Sequence, residues 1–60
     1  PANALVAHLL TAHEVLVDTA KNLRDLTAES GDSETQDLAI RRIQIHEKTT
    51  WMLRAFLKTV

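Results

Sequence analysis

A chain of sixty residues with one proline, at position 1, and one glycine, at position 31, offers a single interior place to break a helix. Pro1 sits where a helix tolerates a residue without a backbone donor, and Gly31 suits the left-handed backbone that commonly ends one. Everything else can be helical, and the apolar spacing agrees. Leu5, Leu9, Ala12, Leu16, Ala20 and Leu23 recur every three or four residues, which draws one stripe along a first helix from an Asn3 N-cap to about Ala28. Glu29-Ser30-Gly31-Asp32 then reads as a turn.

Start signals for a second helix are concentrated just after the glycine. Asp32 or Ser33 can accept from the free amides of the first turn, Ser33 to Gln36 has capping-box spacing, and Asp32, Glu34 and Asp37 oppose the positive end of the helix dipole. Two apolar rows follow. Leu38, Ile45, Thr49, Met52 and Phe56 form one, and Ala39, Ile43, His46, Thr50, Leu53 and Leu57 form its neighbour. The chain is therefore expected to be all-α, an antiparallel helical hairpin whose helices of about 25 residues are each roughly 38 Å long. Two helices cannot cover both broad stripes, so the hairpin reads as half of a larger bundle.

Composition narrows the function classes. No cysteine is present, which removes thiol nucleophiles, disulfides and cysteine metal sites and fits a reducing compartment. The formal charge of −1 gives the chain as a whole no electrostatic reason to seek nucleic acid or an acidic membrane surface. The apolar stretch from Ala4 to Leu10 lacks a basic flank and is too short to span a bilayer, so neither a signal peptide nor a transmembrane segment is expected.

Few constellations could carry chemistry. His46-Glu47 begins like a zinc-protease motif, but Thr50 stands where the second histidine belongs. The same pair superficially resembles a histidine-kinase phospho-acceptor segment, yet lies in the second helix and lacks the proline break. A diiron Glu-x-x-His pair is missing, because none of Glu14, Glu29, Glu34 and Glu47 has a histidine three residues later. Glu14 and Asp18 could share an ion but read better as solvated carboxylates, and His8 and His13, five apart, diverge. Asp37 and Arg41 suit an ion pair four residues apart; Arg42, at the stripe's edge, suits either intersubunit pairing or snorkelling; Arg54 and Lys58 suit the negative end of the second helix. Asp32, Glu34 and Asp37 form the densest acidic cluster, which capping explains unless several copies meet there and make an acidic ring for hydrated cations.

Three segments together resemble the C-terminal half of the Dps family, the miniferritins known as DNA-binding proteins from starved cells. They are Ala12-His13-Glu14, Gly31-Asp32-Ser33-Glu34-Thr35-Gln36-Asp37-Leu38 and His46-Glu47-Lys48-Thr49-Thr50-Trp51-Met52-Leu53-Arg54. The resemblance covers almost the whole chain and makes residues 1–60 the third and fourth helices of a ferritin-like four-helix bundle. It implies a cytoplasmic dodecamer, nucleoid-associated in some members, that oxidises and stores iron, preferably with hydrogen peroxide, and protects DNA from oxidative damage.

The family's ferroxidase ligands come from its first and second helices, so the resemblance gives this half no catalytic or metal-ligating residue; His13, His46 and Glu47 do not inherit that role. Iron would be bound by the assembly, with the missing N-terminal half as partner. The family's threefold iron-entry pore maps onto Asp32 and Asp37, with Glu34 beside them, and Trp51 matches a fourth-helix tryptophan packed close to the ferroxidase centre. Family members commonly bind DNA through a basic tail, whereas Leu57-Lys58-Thr59-Val60 is not one, so DNA binding is expected of the full protein but not through this segment. The competing reading is a non-enzymatic hairpin that dimerises into a bundle as an interaction module.

Overall fold

The computed structural model describes residues 1–59; Val60, the last residue of the Leu57-Lys58-Thr59-Val60 segment, lies outside the described residues. Two helices fill it, α1 over Ala2–Ser30 and α2 over Ser33–Thr59, running antiparallel as a rod 45 × 14 × 11 Å. A compact domain of this length has a radius of gyration of about 10 Å. The observed 13.9 Å is that of an extended helical pair without a globular core of its own.

Helix boundaries depart from expectation at both ends of α1. Asn3 is not the N-cap: the cap is Pro1, which makes no side-chain capping bond, and the Leu5 N–H already donates to the Pro1 carbonyl at 3.3 Å. Pro1 precedes the first helical residue, where its missing donor costs the helix nothing, and with the helix beginning at Ala2 the asparagine falls inside the first turn. At the other end α1 runs through Glu29 and Ser30, because the stop is made by backbone geometry at Gly31 alone (φ 76°, ψ 15°). The Gly31 N–H donates to Ala28 and the Asp32 N–H to Thr27, at 3.3 and 2.9 Å. This Schellman arrangement satisfies carbonyls the ending helix would leave open.

Asp32 then opens α2. Its Oδ1 accepts from the Thr35 backbone N–H at 3.1 Å, so the cap is Asp32 acting on Thr35 and not a box from Ser33 to Gln36. The four-residue turn contracts to two residues, Gly31 and Asp32.

The two rows of α2 separate as their spacing implies. Ala39 and Ile43 are buried, as is Thr50, and His46, Leu53 and Leu57 are half-buried against α1. Opposite them α1 presents Val6, Leu10, His13, Val17, Ala20, Arg24 and Thr27, spaced alternately by four and three, with Arg24 half-buried in the row. That 3.5-residue period keeps a single seam facing its partner. The Leu5-Leu9-Leu16-Leu23 stripe of α1 is not in this seam.

The seam is small and its hydroxyls are satisfied locally. Among the described residues only Val17, Ala39 and Ile43 are buried apolar residues. The buried Thr27 hydroxyl donates to the Leu23 and Arg24 carbonyls at 2.8 and 3.0 Å, and that of Thr50 to Glu47 at 2.8 Å. Threonine is tolerated because its own helix supplies the acceptor that burial would otherwise deny it.

Candidate functional site

On one side of the seam, Leu16 and Leu23 from α1 and Leu38 from α2 line a shallow groove with Ala20, Arg42 and His46. The rest of both apolar rows continues this face along the rod. Leu5, Leu9, Leu16, Leu23, Leu38, Ile45, Met52 and Phe56 are all between 41% and 63% exposed. A soluble chain seldom leaves so long an apolar strip uncovered. The cause is sequence spacing: each helix carries two apolar rows roughly a quarter-turn apart, and one neighbour can cover only one of them.

The other side of the seam is charged. Glu14, Asp18, Lys21, Glu47 and Arg54 line a second groove there. Arg54 donates to Glu14 at 2.7 Å, and Lys21 lies 3.5 Å from Glu47. Arg54 thus does more than complement the end of its own helix, and Glu14 and Glu47 are not simply solvated. All four side chains are roughly half exposed, so these pairs set register more than they stabilise.

The acidic corner is built as local chemistry demands. Asp32 is held by the Thr35 hydroxyl and then by the Thr35 backbone N–H, which together keep its carboxyl below the usual range. Asp37 accepts from Arg41 at 2.7 Å, the expected pair four residues apart, while Glu34 stands exposed in the first turn. The three carboxylates share one end of the rod, around a turn that carries no bulky side chain. Among the described residues no three His, Asp or Glu side chains converge as a metal-ligand set.

Trp51 is the most exposed large apolar residue, at 70%. It does not line the apolar groove; its helical neighbours Glu47 and Arg54 belong to the charged one. Within the hairpin it packs against nothing of consequence, so any packing role requires a surface from outside these helices.

Like the two ion pairs between the helices, one further juxtaposition had no sequence signal. His13 and His46, separated by 33 positions, meet across the seam with Nδ1 atoms 2.9 Å apart. The five-residue spacing of His8 and His13 excluded a joint role for that pair, and spacing along one helix carries no information about a partner on the other. No helix among the described residues is long and apolar enough to cross a membrane.

Against known proteins, residues 2–60 match the family described as Ferritin-like domain. The chain is similar to an uncharacterized low temperature-induced protein of Nostoc sp. (strain PCC 7120), 38% identical over 61 residues, and to its homolog in Anabaena variabilis at the same identity. The match covers 95% of this chain and 32% of each relative, so the chain spans about a third of their length. No solved structure matches it.

Proposed function

Since this chain belongs to the ferritin-like domain family, we propose that it forms the third and fourth helices of a miniferritin of the Dps type, with Fe²⁺ as substrate. In this reading the assembled protein oxidises and sequesters iron and thereby protects DNA, and the hairpin contributes scaffold and an iron-entry pore. The observation that carries it is the uncovered strip from Leu5 to Phe56, which needs a pair of helices of the same length laid against it. Two thirds of each relative lies outside the matched segment, which is ample for such a pair.

The acidic corner suits the pore role. Asp32, Glu34 and Asp37 lie at one end of the rod, where copies related by a threefold axis would bring nine carboxylates together. Such a ring focuses the field on divalent cations, and its oxygen donors suit a hydrated hard ion. Asp32 stays ionised well below neutral pH, as an attractor must. Trp51, exposed on the outer side of α2, suits a contact near the oxidising centre made by another subunit.

The test is to express the full-length protein, measure particle mass by light scattering, and follow Fe²⁺ consumption with hydrogen peroxide. A hollow dodecamer that consumes Fe²⁺, with slower uptake in an Asp32→Asn, Asp37→Asn double variant of unchanged mass, is the expected result. A compact dimer of hairpins that takes up no iron would sink this reading and favour the interaction module.

A further inference from the structure

The His13–His46 contact has a geometry that decides its chemistry. The Nδ1 atoms are 2.9 Å apart, the ring centroids 5.0 Å apart and the planes inclined by 40°. The centroid separation is close to the nitrogen separation plus two ring radii, so the nitrogens point at each other. Two imidazoles sharing a tetrahedral metal ion would instead aim both lone pairs at a third point and hold their nitrogens about 3.3 Å apart, farther than they stand here. A head-on contact at this distance is a hydrogen bond, which requires one nitrogen to carry hydrogen and the other to be bare.

We infer that His13 and His46 form a proton-controlled latch between the two helices. The latch is closed when both rings are neutral or when one alone is charged, since either state leaves one Nδ1 free to accept. A second proton places two N–H groups and two cationic rings head to head, and the rings must part. The carboxylates nearest in sequence are already engaged by other cations. Glu14, beside His13, is engaged by Arg54, and Glu47, beside His46, by Lys21; both pairs and Asp18 line the groove on the other side of the seam. The charged group that shares a groove with His46 is Arg42, a cation.

The unfolded chain can carry a proton on each ring at both nitrogens, whereas the closed contact has room for only one hydrogen between the two Nδ1 atoms. The state that binds more protons gains as pH falls, so the latch holds toward neutral pH and is lost on acidification. Excluding one proton weakens the folding constant by about tenfold per pH unit at the acid end of the window. The latch adjoins the apolar groove, so parting the rings disturbs the face on which any further helices would dock.

The test is urea unfolding of the full-length protein at fixed concentration from pH 7.5 to 5.0, comparing the parent with His13→Gln, His46→Gln and the exposed control His8→Gln. The parent and the His8 variant should lose about tenfold per pH unit between 6 and 5, while the other two should lose clearly less. Equal slopes in all four proteins would overturn the latch. If either seam variant does not fold, imidazole ¹⁵N spectra of the parent decide. One bare and one protonated Nδ1 at pH 7.5, with no doubly charged pair in the folded protein at pH 5.5, support the latch; two charged rings in an undisturbed fold refute it.

Discussion

Replacing Leu16 and Leu38 together by serine isolates the apolar face from the hairpin's own seam. Both leucines line the groove, and they are 48% and 56% exposed. Full burial of a leucine contributes about 1.5–3 kcal/mol, so covering the exposed half of each is worth about 0.7–1.5 kcal/mol. The double change therefore removes about 1.5–3 kcal/mol from whatever contact covers this face, which weakens association by roughly 10- to 150-fold. It leaves Val17, Ala39 and Ile43 untouched, so α1 and α2 should still pair. In the full-length protein the expected outcome is a lower melting temperature and a smaller particle by light scattering, with helical circular dichroism largely retained at low temperature. Gln44→Ser, on an exposed part of α2, is the control for helix propensity. A double variant with the parent's particle mass and melting temperature would show that the face is solvated in the working protein, and the argument for a missing half would fall.

Gly31→Ala should destabilise by about 1–2 kcal/mol in denaturant titration, because φ is 76° and the cost is backbone strain alone, nothing lying within 4 Å of an added Cβ. Ile43→Ala, at 6% exposure in the seam, should cost about 2–5 kcal/mol and separate the helices, as seen by hydrogen exchange. Asp32→Ala should lower the melting temperature while Asp32→Asn retains it, since the amide oxygen can still accept from Thr35. Asp32 is held below its ordinary pKa, so its contribution is complete above that ordinary value and disappears as pH falls through the lowered one; a melting series from pH 6 to 2 in parent and Asn variant checks this sign. A double-mutant cycle on Glu14 and Arg54 should return under 1 kcal/mol despite the 2.7 Å contact, because both side chains are about half exposed.

Much of this architecture is legible along the chain because its signals are local. Gly31 marks the turn since only glycine enters the left-handed region without strain, and Asp32 marks the start of α2 since its carboxylate reaches an amide three residues on. Asn3 misleads because the helix already begins at Ala2, which leaves the asparagine inside the first turn instead of capping it. The acidic corner is readable by composition, whereas its pairing of Asp37 with Arg41 is readable by spacing. Trp51 is conspicuous in sequence, yet its place on the outer side of α2 had to be seen.

Helical periodicity specifies the angular positions of residues within one helix, so the two apolar rows on α2, and the fact that a single partner helix must leave one of them uncovered, follow from residue order. It says nothing about how α1 is rotated about its own axis relative to α2. That rotation made the threonine- and histidine-containing row of α1 the seam, turned its leucine stripe outward, and joined Glu14 to Arg54 and Lys21 to Glu47. It also set His13 against His46, a contact between positions whose only relation is the distance across a packed pair of helices.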